Sequence, residues 1–410
     1  MKYITAAQAA QQWGVTARRV QDLCKSNAID GAVRWGRDWM IPADAHRPGD
    51  RRKKAAEGGS SEKPQLPRKN PAIIFSNIYN TPGTADAVAE SLSDRPEAAA
   101  LFRAYVAYCR GDVNTTIALV RDLLSRKCGH DLQLGCGLIL ALCAVYTGSV
   151  PLWEDAKKVI LTAPCNTDKD RYAVDFWIAA AECEIRETNS FPLWFTRGDF
   201  EVLPGDSYPS ARFYYLRYLY LYCHEYAFGM RGEKDAQAKM AMFPHVAEPL
   251  IAQSYKEGAI VSEAFMRLLC AIAYHDMGND AMATYHVDAA IALVLPDKLY
   301  MVLAEYRRQL DFLIDQRLAL VDPEAVNALK AINQQFIAGW TVLHNTKRNR
   351  VVSSELTTRE RAVAKQAAFG LSNKEIAQRL DISVNTVKQS LRTAMDKTGA
   401  EKRSDLFRFL

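Results

Sequence analysis

Residues 356–406 read LTTRERAVAKQAAFGLSNKEIAQRLDISVNTVKQSLRTAMDKTGAEKRSDL. Three helix starts are written into this stretch. Thr357 is followed three residues later by Glu360, and Ser372 by Glu375, so each pair satisfies amide groups that a helix N-terminus leaves open. Ser383 caps a third helix, with Asn385 and Thr386 in its first turn. Gly370 and Gly399 stand where helices stop. Ile376, Ala377 and Leu380 on the second helix, with Val387 and Leu391 on the third, supply apolar faces for one small core. Only Asp381-Ile382-Ser383 separates these two helices, which leaves room for a sharp corner and nothing longer.

Helices joined by such a corner form a helix-turn-helix, whose second helix enters the major groove of DNA. With Val387 and Leu391 turned inward, Lys388, Gln389 and Arg392 face outward, and these residue types suit phosphates, guanine edges and adenine edges. Ser383, Asn385 and Thr386 lie at the start of the same helix. Lys374 and the amides beside Ser372 are placed to hold the DNA backbone next to the groove. The run G-L-S-N-K-E-I-A-x-x-L-x-I-S-x-x-T-V-K, from Gly370 to Lys388, resembles the LuxR/NarL/FixJ-type helix-turn-helix position for position. The likeness extends upstream to L-T-x-R-E (Leu356 to Glu360) and downstream to Lys397, Gly399, Arg403 and Leu406. It implies a four-helix DNA-binding domain over 355–410 in a bacterial transcription regulator. It also implies a final helix, Arg403 to Leu410, that contributes to dimer contacts and is short here. Family members usually carry His where this chain has Ser390.

Residues 1–46 hold a second pattern. Thr5 and Gln8 make a capping box for AAQAAQQWG, Gly14 ends that helix, and Thr16 caps ARRVQDLCKSN. Two short strands then flank Gly36-Arg37, where Gly at the first turn position suits a two-residue hairpin. Helix, turn, helix and hairpin make a winged helix that resembles the MerR/excisionase class. The resemblance puts Arg18, Arg19 and Gln21 on the reading helix and Arg34 and Arg37 on the wing. A winged helix also serves as a protein-interaction module, and that alternative stays open.

Arg47 to Asn70 (RPGDRRKKAAEGGSSEKPQLPRKN) has almost nothing apolar to bury and reads as a flexible basic tether. Asn345 to Ser354 reads as a shorter polar linker. Between them, residues 71–344 show apolar residues at three- and four-residue spacing, as in Leu101-Tyr105-Tyr108 and Ile117-Val120-Leu124. Paired helices meet around Gly111, Gly148 and Gly278, which looks like a tetratricopeptide-type solenoid, with a generic bundle as the alternative. The fold class is therefore mainly α. The aromatic run Tyr208 to Phe228 reads as a buried helix, with a stacking groove for a ligand or peptide as the alternative, and Leu132 to Tyr146, with its two glycines, as another buried helix.

Charge follows the same division. Residues 355–410 hold eleven Lys/Arg against seven Asp/Glu, residues 1–46 six against four, and residues 47–70 eight against three, around an acidic middle. Basic ends suit a polyanion. The nine cysteines form no C-x-x-C pair, and most sit in apolar helical runs, as reduced core residues of a cytoplasmic protein. No phosphate-binding G-x-x-x-x-G-K-[ST] loop, nucleophile elbow, paired carboxylates or metal-ligand spacing occurs, so neither an enzyme nor a cofactor is expected. The partners expected are double-stranded DNA, a second copy of the chain, and a protein or small-molecule effector at the helical middle, with no membrane. The alternative is an interaction scaffold in which one head, or neither, meets DNA.

Overall fold

The computed structural model describes residues 3–13, 15–25, 29, 32–35, 38–42, 45, 78–126, 128–229, 233–310, 312–348 and 356–409. They fall into two units, Met1–Lys63 and Pro64–Leu410. The expected tether, 47–70, lies outside the described residues, and the division between the units falls within it.

The first unit runs β1 (Tyr3–Thr5), α1 (Ala6–Trp13), α2 (Ala17–Lys25), β2 (Val33–Trp35) and β3 (Asp38–Pro42). Thr5 and Gln8 form the expected reciprocal pair, with the Thr5 N–H donating to Gln8 Oε1 at 2.9 Å and the Gln8 N–H to Thr5 Oγ1 at 3.3 Å. The hairpin pairs β2 with β3, Arg34 opposite Trp39. β1 adds an unexpected third strand on the other edge of β3, with Ile4 opposite Ile41. Ala9, Val20, Cys24 and Ile41 are fully or almost fully buried between helices and sheet.

The larger unit is helical. In chain order it runs α3 (Ala85–Ser91), α4 (Pro96–Cys109), α5 (Val113–Leu124), α6 (His130–Thr147), α7 (Val150–Leu161), α8 (Asp168–Glu184) and α9 (Leu193–Thr196). It continues with α10 (Tyr208–Gly229), α11 (Glu233–Glu257), α12 (Ile260–Asp276), α13 (Asp280–Val294), α14 (Tyr300–Arg307), α15 (Leu313–Ala319) and α16 (Pro323–Arg348). Successive helices pack as pairs: α4 on α5, α6 on α7, α10 on α11, and α12 on α13. The corner between α6 and α7 shows the device. Gly148 ends α6 at φ 69°, a conformation a side chain would strain, and Ser149 beside it accepts the Leu152 N–H to start α7. Asp112 after Gly111 and Asn279 after Gly278 cap the following helices in the same way. The expected linker at 345–354 differs at its start, because α16 continues through Asn345 to Arg348.

Helix α6 is long and apolar enough to cross a membrane, yet 67% of it is buried inside the protein, where α4, α5, α7, α8 and α16 surround it. It is the central core helix. α16 crosses it very closely: a Cβ on Gly339 would sit 2.1 Å from the Tyr146 carbonyl oxygen. No flexible side chain is there to move aside, so a methyl group must push two helices apart. Gly339→Ala is therefore expected to destabilise the protein by about 1–3 kcal/mol, although Ala is the better helix former. A chemical-denaturation midpoint equal to wild type would contradict this packing.

Three helices and a short 3₁₀ turn complete the unit: α17 (Thr358–Ala368), α18 (Asn373–Arg379), α19 (Val384–Thr398) and Arg403–Phe409. Leu356, Val363, Ile376, Val387, Leu391 and Leu406 are buried in one separate core, with Leu380 packed against it. Asp381 makes the corner between α18 and α19 by adopting φ 50°, which a short polar side chain tolerates.

Candidate nucleic-acid interface

The geometry of α17–α19 starts from its caps. Thr357 Oγ1 accepts the Glu360 N–H at 3.2 Å while the Glu360 carboxylate accepts the Thr357 N–H at 2.8 Å. Ser372 and Glu375 repeat this at 3.3 and 2.7 Å. Burial opposes ionisation of Glu360, but Lys397 at 2.8 Å and the Thr357 hydrogen bonds outweigh it and hold the carboxyl below its usual range. The Ser372 hydrogen bonds lower Glu375 likewise. Both boxes are thus intact at neutral pH and weaken only as acid protonates the carboxylates.

Ser383 opens α19 by accepting the Thr386 N–H at 3.0 Å, and the two hydroxyl oxygens lie 2.8 Å apart. Along the helix, Val387, Ser390, Leu391 and Ala394 turn into the protein. Asn385, Lys388, Gln389 and Arg392 are exposed at spacings of three, four and seven residues, which puts them on one face. Ser383 and Lys374 are also exposed, and Thr386 is half-buried. Lys388 and Arg392 line an open groove with Asn373 and Asp396, beside the start of α18. Six predicted residues of this domain thus lie on α19 or at its cap, and Lys374 lies in the first turn of α18. Ser390, in the position where the family usually has His, is buried near Phe312 and Thr393.

In the first unit, Arg18 and Gln21 are exposed on α2 at helical spacing, Arg19 is on the same helix, and Arg34 is on β2. Arg37 lies outside the described residues.

Three basic residues of the C-terminal domain have structural roles that spacing alone does not reveal. Arg403 donates to the Leu371 carbonyl at 2.7 Å and to Asn373 Oδ1 at 3.0 Å, tying the last turn to the start of α18. Lys365 on α17 pairs with Asp276 at 2.6 Å, where only 10% and 1% of the two side chains are exposed, and donates to the Gln309 carbonyl at 2.9 Å. Arg379 donates to the His275 and Asp276 carbonyls. Two cations thus close the C-terminal end of α12, where the Asp276 carboxylate and the helix dipole favour positive charge. Through them the helix-turn-helix is docked on the helical middle.

The model of the GerE family, bacterial regulatory proteins of the luxR family, matches residues 354–410. Comparison with curated proteins and with solved structures gives no significant match. The match coincides with the capped three-helix core and its exposed face. The C-terminal domain is a LuxR-type helix-turn-helix. The chain that carries it is a DNA-binding transcription regulator.

Proposed function

We propose that the protein recognises specific DNA sequences with α19 in the major groove, Lys388, Gln389 and Arg392 meeting base edges and phosphates. Ser383, Asn385, Thr386 and Lys374 hold the neighbouring backbone. The observation that carries this reading is the single exposed face formed by Asn385, Lys388, Gln389 and Arg392 on a helix whose other face is core. The N-terminal unit acts as a winged helix and supplies a second DNA contact, through Arg18, Arg19 and Gln21 on α2 and Arg34 and Arg37 on the hairpin. The helical middle senses an effector, and the regulator works in the cytoplasm as a homodimer.

Deleting residues 1–46 tests the two-headed arrangement. If both heads meet DNA, the second contact is intramolecular and raises avidity without any new surface. The deletion should then weaken binding at least tenfold and shorten the nuclease footprint. Unchanged affinity and footprint would make the N-terminal unit a protein-interaction module.

A further inference from the structure

Glu248 on α11, Cys270 on α12 and His286 on α13 bring a carboxylate oxygen, a sulfur and a ring nitrogen within 4.8 Å of one another. No linear spacing marks them, because three successive helices contribute one residue each. Cys270 and His286 are fully buried, whereas 42% of the Glu248 side chain is exposed. The cluster is therefore closed on the protein side and reachable from solvent at the carboxylate. His286 Nε2 lies 3.0 Å from Glu248 Oε1. Its other nitrogen, Nδ1, has no hydrogen-bond partner among the described residues, which is unusual for a buried polar atom. Tyr274 stacks on the imidazole at 5.6 Å and Tyr285 meets it edge-on at 5.1 Å, so its neighbours set the ring plane.

The charges around the cluster favour a cation. The hydrogen bond with His286 outweighs burial and holds the Glu248 carboxyl below its usual range, so it is ionised at neutral pH. Burial first, and then that carboxylate, push the Cys270 thiol up. Arg267 acts on both in the opposite sense, but its guanidinium is engaged 2.7 Å from Glu263. A thiol kept protonated beside a carboxylate becomes a strong ligand once a divalent cation replaces its proton. Sulfur, imidazole nitrogen and carboxylate oxygen together are a donor set for zinc, whereas calcium and magnesium take oxygen. Around a tetrahedral ion, nitrogen and oxygen ligands at about 2.0–2.1 Å stand about 3.3 Å apart. The observed 3.0 Å between His286 and Glu248 is close to that. Sulfur at about 2.3 Å stands about 3.6 Å from either, within the 4.8 Å that spans the cluster.

We propose that Glu248, Cys270 and His286 bind a zinc-class divalent cation, with a water as fourth ligand on the open side of Glu248. Cys270 binds as the thiolate, its proton passing to solvent, and His286 binds neutral. The site is independent of the DNA-binding reading, because none of its residues belongs to α17–α19. The ion fastens three helices together. Cys270 stands less than two turns before Asp276, which pairs with Lys365 of α17.

The test titrates cobalt(II) chloride, a spectroscopic substitute for zinc, into the full chain after dialysis against a chelator under reducing conditions. One equivalent should bind, with a thiolate-to-cobalt charge-transfer band in the near ultraviolet, and zinc chloride should displace it. Cys270→Ser should abolish that band. Glu248→Gln and His286→Gln should each lower the affinity tenfold or more. Cys165→Ser, at an exposed cysteine, should titrate as wild type does. Absence of the band in wild type, or an undiminished band in Cys270→Ser, overturns the proposal. So does unchanged affinity in Glu248→Gln, whose half-exposed position lets it fold even if the buried variants do not.

Discussion

Replacing Lys388 and Arg392 together by Ala is expected to weaken binding to a selected site by about a hundredfold or more while leaving the protein folded. Each contact to a base is worth about 1–3 kcal/mol, and the two residues lie one helical turn apart on the same exposed face. Neither belongs to the core of the domain, which is closed by Val387, Leu391 and Ala394 on the opposite side. The thermal melt should therefore match wild type. Single variants divide the roles. A residue that reads a base loses discrimination at one position, and a residue on a phosphate lowers the salt slope by roughly one. Equal affinities for double variant and wild type would remove α19 from the groove.

The second large effect concerns stability. Arg217 is the cation of a buried cluster in which Tyr214 donates to Glu184 at 2.9 Å and Tyr108 to Glu305 at 3.3 Å. Arg217→Met removes the cation that lies 2.7 Å from the buried Glu184 and 3.7 Å from the buried Glu305. Removing one partner of such a pair costs about 3–5 kcal/mol, which in a unit of this size corresponds to a fall in Tm of roughly 4–7 °C. The sign of the pH dependence follows from the same chemistry. Both carboxyls already have raised pKa values, burial being the first cause, and losing Arg217 raises them further. They then hold protons that the wild-type protein releases, so the deficit relative to wild type should grow as pH rises through the wild-type folded value, about 8 for Glu305. Differential melts at about pH 6 and about pH 9.5 check this, and an equal deficit at both would contradict it.

Much of the C-terminal domain is legible in its sequence because its signals are local. A hydroxyl and a carboxylate three residues apart specify a helix start within one turn, and both boxes at Thr357 and Ser372 form as spacing requires. The face of α19 follows from helical periodicity once Val387 and Leu391 are placed inside. What the sequence conceals depends on distant partners. Nothing local in the sequence marks Lys365 and Arg379, whose partners, the Asp276 carboxylate and the His275 and Asp276 carbonyls at the end of α12, lie roughly a hundred residues away. β1 is three residues long, and only its pairing with β3 makes it a strand. Arg186 gives no local sign of its left-handed backbone, since such a conformation normally announces itself as Gly or Asn. The aromatic run from Tyr208 shows both sides of the matter. Phe213, Tyr214 and Tyr220 are core, as apolar helical residues generally are, while Tyr222 is exposed.

The central claim is that this chain reads DNA sequence. Selection of duplexes from a randomised pool by the full-length protein, followed by titration of the enriched duplex against a scrambled one at physiological salt, tests it most directly. The account predicts enrichment of a defined motif bound about a thousandfold or more tighter than the scrambled control. Binding that is equally tight to both duplexes and disappears with modest salt would contradict it, because charge alone would then account for the contact.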